Sequence, residues 1–308
     1  MKNKTVLSNR AVVGILAIFC CLLWGSATPA IKTAYKLFQI ASDDTMSRFV
    51  LAGLRFFFAG AVIIIFGSVS AGKLIRPKKG NIMLVIKLGM VQTVLQYYFF
   101  YTGLAHTTGI KSAILGASAT FFSILFSVLF RMEKLSARKI VGSVIGFSGV
   151  ILINITGGSI DALNLKGDGF IMIYTIMNGL AAVMIKKYSQ KEDPVVLTGY
   201  QFLFGGLVLT AAGLLGNGKL LPESASAWGL MAYMVFLSAV AYTLWSVLLK
   251  YNDVSHVTVY NFTNPVFAVL LSALVLREQN TFTAIQCIIS LVLVCLGILI
   301  VNKKKKEI

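Results

Sequence analysis

Ten apolar runs follow one another along this chain, near 11–34, 48–69, 81–102, 110–131, 139–156, 168–188, 195–216, 225–249, 257–276 and 281–302. Each is close to the roughly 20 residues a helix needs to cross a bilayer. In hydrocarbon a helix satisfies its backbone N–H and C=O groups within the segment, which a loop cannot do. The alternation of a membrane barrel is absent, and no connecting segment is long enough for a soluble domain. Composition agrees, with 57% of the 308 residues hydrophobic and 13% charged, where soluble domains carry about 25% charged residues. The expected fold is all-α and integral to the membrane, with the lipid bilayer as its standing partner. The basic N-terminus followed by Ala11–Leu23 is built like a signal peptide. Nine further runs make it the first span, uncleaved.

A net charge of +17 would suit nucleic acid. The basic residues, however, lie between the apolar runs and form no stripe interleaved with stacking aromatics, so no nucleic-acid partner is expected. They report orientation instead. Nineteen lie on one side: Lys2, Lys4, Arg10, Lys73, Arg76, Lys78, Lys79, Arg131, Lys134, Arg138, Lys139, Lys186, Lys187, Lys191, Lys250 and Lys303 to Lys306. Seven lie on the other: Lys32, Lys36, Arg48, Lys111, Lys166, Lys219 and Arg277. This bias places both termini in the cytoplasm, which requires an even number of spans. Ten fits.

The chain also repeats itself. Phe130-Arg131-Met132-Glu133-Lys134 resembles Leu276-Arg277-Glu278-Gln279, and the same offset sets Tyr97 on Tyr242 and Thr120 on Pro265. A nearby offset matches the segment from Arg55 to Gly60 with that from Gln201 to Gly206, and Gly25 to Lys32 reads against Gly179 to Lys186. The last helices of the halves close on Ile153-Asn154 and Val301-Asn302. In one consistent order these matches indicate a duplication, with one five-helix repeat at 1–156 and a second at 157–308. Five is odd, so the second repeat enters from the opposite side and the two are inverted. The loop charges agree: the 70–80 loop carries four basic residues, and its counterpart at 216–227 only Lys219. Inverted repeats place a binding site near mid-membrane, between halves that rock for alternating access.

Ten spans in two halves carry Trp24-Gly25-Ser26 followed by Ile31-Lys32, Arg55 early in the second span, and Glu133 after the fourth with Gly142 and Gly149 beyond. In these features the chain resembles the EamA type of the drug/metabolite transporter superfamily, over essentially its whole length. The resemblance implies a cavity lined by the central helices of each half, with the fifth and tenth spans more peripheral. Gln201 departs from strict repetition, standing where the first half has Arg55.

Polar residues in hydrocarbon are expensive and face a bundle interior or a wet cavity. The candidate substrate-binding residues are Gln92 and Gln96, four apart on one face of the third span, with Tyr97 beside them. Tyr174 and Asn178 on the sixth span, Tyr242 and Trp245 on the eighth, Asn261 and Asn264 on the ninth, and Trp24 on the first complete the set. Interhelical hydrogen bonding is the competing role for each. Arg55 is the candidate charge in the cavity. Pro29 and Pro265 free the carbonyls of Gly25 and Asn261 and are expected as structural kinks. Glu133 and Glu278, each just past a span beside a basic residue, are expected to act in structure and not in proton transfer. Gly142, Gly146 and Gly149, and likewise Gly199, Gly205, Gly206 and Gly213, let helices approach closely. Cys20, Cys21, Cys287 and Cys295 lie inside apolar runs as small buried hydrophobes, with no CxxC pair or Cys/His cluster. No metal and no cofactor are expected.

There is no GxSxG elbow, HExxH helix, phosphate loop or intramembrane carboxylate pair, so no enzyme is expected. None of the 11 acids lies at the centre of a span, which disfavours a pump for polyvalent cations. The function expected is secondary transport, across the cytoplasmic membrane, of a small-molecule substrate that is neutral or zwitterionic and amino-acid-like. The carrier is expected as a monomer or homodimer. The alternatives are a translocator of lipid or lipid-linked sugar, which requires polar residues facing a gap between helices, and a membrane scaffold or sensor without flux. The orientation is tested by single cysteines at Ser70 and Ser226 in a background lacking the native four. An impermeant thiol reagent should label Ser226→Cys and spare Ser70→Cys in intact cells, and the reverse pattern would overturn the topology.

Overall fold

The computed structural model describes residues 6–41, 43–104, 106–107, 112, 115–154, 164–276 and 284–303. These form ten helical segments and no strand: α1 (Arg10–Leu37), α2 (Thr45–Ala71), α3 (Lys79–Leu104), α4 (Leu115–Leu129) and α5 (Ala137–Asn154). The second set is α6 (Leu165–Tyr188), α7 (Pro194–Leu215), α8 (Ala225–Tyr251), α9 (254–276) and α10 (Ala284–Asn302). Six of them, α1, α2, α3, α6, α7 and α8, are each long and apolar enough to cross a membrane. Local chemistry sets several ends. Asn9, Asp44 and Asp193 accept from the first-turn N–H groups of α1, α2 and α7, and Pro194 opens α7, where its missing N–H is harmless. Gly72 ends α2 with φ +62°, a conformation that side chains resist.

The two described ends of the chain meet on one face. Arg10 donates to the Asn302 carbonyl, and Arg138 Nη1 donates to the Lys303 carbonyl at 3.4 Å. We call this the termini face and its opposite the far face.

Helix pairing follows a two-fold rule. Helix α1 packs on α8 and α9, and its counterpart α6 packs on α3 and α4; α2 pairs with α7, and α5 with α10. The glycines show the same exchange atom by atom. A Cβ added at Gly206 would lie 2.7 Å from Gly53 O, and one at Gly60 would lie 2.6 Å from Gly199 O. Gly53 and Gly199 are counterparts in the repeat, as are Gly60 and Gly206, so one contact is the image of the other. Gly25 against Phe267 and Gly179 against Phe122 form a second such pair, and Gly149 against Ser290 with Gly142 against Gly297 a third. The α2–α7 and α5–α10 contacts run antiparallel, as a repeat of five spans demands. The two repeats are inverted.

Helices α5 and α10 sit at the periphery with Ile140, Val141, Val144, Ile285, Ile288 and Leu299 exposed, an apolar surface suited to lipid. Cys20 and Cys21 are buried, whereas Cys295 is exposed on α10, where a small apolar side chain meets lipid as readily as protein. Glu278, the junction at 156–157 and Lys111 lie outside the described residues.

Where backbones touch, a methyl group has no room. Gly206→Ala brings a Cβ to 2.4 Å from Phe57 N, and should destabilise the protein by about 1–3 kcal/mol through forced separation of α2 and α7. Gly229→Ala has nothing within 4 Å, and should be neutral or stabilising by up to about 1 kcal/mol. Thermal unfolding in detergent compares the two.

Candidate functional site

Counterpart side chains meet at the two-fold axis. Tyr97 and Tyr242 share a hydrogen bond at 2.8 Å between their hydroxyls, and the rings of Phe56 and Phe202 stand 4.9 Å apart. Phe56 lies 4.6 Å from Tyr97, and its image Phe202 lies 5.0 Å from Tyr242. Four helices thus contribute one ring each to a central cluster, in tilted and edge-on contacts favoured by ring quadrupoles.

A polar group flanks the cluster on each side. Arg55 Nε donates to Ser238 Oγ at 2.7 Å, and in the image position Thr93 Oγ1 donates to Gln201 Oε1 at 2.7 Å. Gln201 Nε2 then donates to Gln92 Oε1 at 3.2 Å. Gln201, Thr93 and Ser238, with Phe56 and Phe202, were not among the sequence candidates. The signal for them was the alignment of Arg55–Gly60 on Gln201–Gly206, which sets Arg55 on Gln201 and Phe56 on Phe202.

The remaining candidates fall around this centre. The Trp24 ring packs edge-on against Tyr242 at 5.1 Å and Trp245 at 4.9 Å. Tyr174 stands 5.0 Å from Phe100, with its hydroxyl facing Asn178. A π-helical stretch over Met90–Leu95 interrupts α3 and carries Gln92 and Thr93, with Gln96 closing it through its N–H to Val91 O. Gln92, Gln96, Tyr242, Trp245 and Arg55 are buried, and Trp24, Tyr97, Tyr174, Asn178, Asn261 and Asn264 half-buried. Among the described residues, the buried donor Trp24 Nε1, whose ring packs on Tyr242, and the buried acceptor Gln96 Oε1, one residue before Tyr97, have no protein partner.

Asn261 and Asn264 belong to a break in α9, where a short helix and a tight turn, Val259–Phe262, precede Thr263–Leu276 with Pro265 in its first turn. Protein groups occupy the loosened carbonyls: Cys21 Sγ and Thr263 Oγ1 donate to Tyr260 O, and Thr120 Oγ1 to Thr258 O. Pro29 is buried within a continuous α1.

A family model matches this arrangement of ten helices in two halves: that of the EamA-like transporter family, over residues 12–155 and 165–303. The chain belongs to the EamA-like transporter family. It is 27% identical to an uncharacterized transporter of Synechocystis sp., over 91% of this chain and 86% of that protein. It is 28% identical to the uncharacterized inner membrane transporter YedA of Escherichia coli, over 81% of this chain and 78% of that protein. A crystal structure at 16% identity shares the fold with a TM-score of 0.75, over 94% of this chain and 98% of the other. The chain is therefore a membrane transporter of this family.

Carboxylates tie the loops of this EamA protein on the termini face. Glu133 accepts from Lys139 Nζ at 2.5 Å, from Ser255 N at 3.1 Å and from Ser255 Oγ, joining the α4–α5 loop to the start of α9. Glu192 accepts from Lys78 N at 2.9 Å and Asn81 Nδ2 at 3.0 Å, joining the α6–α7 and α2–α3 loops. On the far face, Asp168 accepts from Thr107 Oγ1 and from Asn164 N at 2.9 Å. Burial opposes the Glu133 charge, but the donors from Lys139 and Ser255 outweigh it and hold the carboxyl below its usual range. A carboxyl depressed by folding contributes stability above its unfolded pKa and loses it as pH falls through the folded value. Glu133→Gln should therefore lower stability near neutral pH by about 1–3 kcal/mol. It should also flatten the loss of stability below about pH 4. Unfolding of both proteins measured across pH checks this.

Proposed function

We propose that this EamA transporter is a secondary carrier of a small organic metabolite, neutral or zwitterionic and amino-acid-like, moved across the cytoplasmic membrane by alternating access. The observation that carries the reading is the unpaired donor and acceptor, Trp24 Nε1 and Gln96 Oε1, beside an aromatic cluster on the axis relating the two halves. A buried polar atom without a partner is costly, and a solute with both polar and apolar parts supplies the missing bonds. Inverted repeats meeting at such a site are the architecture in which rocking alternates access. Clasps that hold loops together on one face, such as Glu133 with Ser255, are the contacts such rocking has to break.

The bias of lysine and arginine supports a cytoplasmic termini face. With no carboxylate at mid-span among the described residues, a dication would keep most of its desolvation penalty and a proton would have no central acid to ride on. Facilitation or exchange is the coupling this supports.

Purified protein in liposomes should move labelled aliphatic amino acids down their gradients, saturably and without a pH difference. Tyr242→Phe, which removes one partner of the Tyr97 bond, should slow that flux severalfold in folded protein. Flux that required an imposed proton gradient, or that carried organic cations alone, would overturn the proposal.

A further inference from the structure

We infer that Arg55 receives a carboxylate of the transported solute, on the far-face side of the aromatic cluster. This rests on the transport reading above and names the chemical class of the cargo. A guanidinium stays charged in any protein environment, and Arg55 is only 3% exposed within a span. Burying a charge is expensive unless it is paired and its donors are satisfied. Among the described residues no carboxylate pairs with Arg55, and of its five N–H donors only Nε has an acceptor, Ser238 Oγ at 2.7 Å.

Ser238 gives its own proton to Met234 O at 2.8 Å, so its oxygen can only accept from Arg55. That makes Ser238 a positioning residue. It holds the Nε edge and leaves the Nη1–Nη2 edge, a planar fork that matches the two oxygens of a carboxylate. The Phe56 ring, 5.3 Å from the guanidinium carbon, covers one face.

The two-fold image sharpens the assignment. Gln201 stands where Arg55 would recur, and both ends of its amide are taken, Oε1 by Thr93 and Nε2 by Gln92. One half of the site is thus a cation with spare donors, and the other is neutral and self-satisfied. Only one end of the site can hold an anion. Arg48 lies two turns earlier on the same face of α2, about 10 Å nearer the far face, with its guanidinium 5.1 Å from the Tyr35 ring. Arg48 donates to the Ala41 carbonyl at 3.3 Å and has the Asp44 carboxylate within its field, so Arg55 is the cation that meets the anion. The solute therefore lies with its carboxylate on Arg55 and its apolar part across Tyr97, Tyr242 and Trp24.

The test uses tryptophan fluorescence, since two of the three tryptophans, Trp24 and Trp245, flank the cluster. Purified protein is titrated with leucine, isoleucine, valine and methionine, each paired with its own carboxamide. At least one acid should bind about tenfold more tightly than its carboxamide. Arg55→Gln should bring that acid down to the carboxamide level, and Arg55→Lys should keep part of the difference. Ser238→Ala, which frees the guanidinium to swing, should weaken the acid more than the carboxamide and so narrow the difference between them, and the assignment is tested even where Arg55→Gln does not fold. Equal binding of acid and carboxamide, or an undiminished preference in the folded Arg55→Gln protein, would overturn it. If acids and carboxamides both cross liposomes equally well, only the carboxylate assignment falls. If none of them binds or crosses, the amino-acid-like reading falls with it.

Discussion

The backbone contact of α2 with α7 is the constraint on which the rest of the molecule depends. Gly53, Gly60, Gly199 and Gly206 let two antiparallel helices touch without side chains between them. In a bilayer the helices gain little by leaving lipid, so close packing of small residues has to supply the attraction. That contact lies on the two-fold axis and aims Arg55 and Phe56 from one helix, and Gln201 and Phe202 from the other, at the same centre. Helices α3 and α8 then add Tyr97 and Tyr242, whose hydroxyls meet between the halves. Because α1 packs on α8 and α9, and α6 on α3 and α4, each half is completed by the other.

A symmetric frame with unequal chemistry is what gives the site an orientation. The pairs Arg55–Ser238 and Gln201–Thr93 occupy equivalent places, yet one is a buried cation and the other part of a neutral chain of amides. The charge therefore lies on one side of the aromatic cluster, toward the far face. The loop carboxylates are likewise placed by geometry: Glu133 and Glu192 reach donors on loops that are distant in sequence, and hydrogen bonds hold Glu133 charged despite its burial.

Much of the frame was legible because membrane folding has so few solutions. Run length and the absence of alternation led to ten helices, and the matches at Gly25/Gly179, Arg55/Gln201, Tyr97/Tyr242 and Asn154/Asn302 led to the inverted duplication. The site was legible in part. Trp24, Tyr97, Tyr242 and Trp245 converge, whereas Asn261 and Asn264 sit at the α9 break, whose carbonyls are already met by Cys21, Thr120 and Thr263. Gln201 looked like a defect in the repeat, because one sequence position carries no sign of the partner it will meet.

The sequence by itself determined the number of spans, the five-helix repeat and hence the inversion, since hydrophobic length and odd parity are local and additive. Only the tertiary structure decided which polar residues pair with each other and which do not. Gln92 and Gln96 read alike along one helix, yet one is bonded to Gln201 and the carbonyl oxygen of the other has no partner among the described residues. Hydrogen bonds form between atoms about 3 Å apart, and that distance, between helices more than a hundred residues apart in the chain, exists only once the backbones have met.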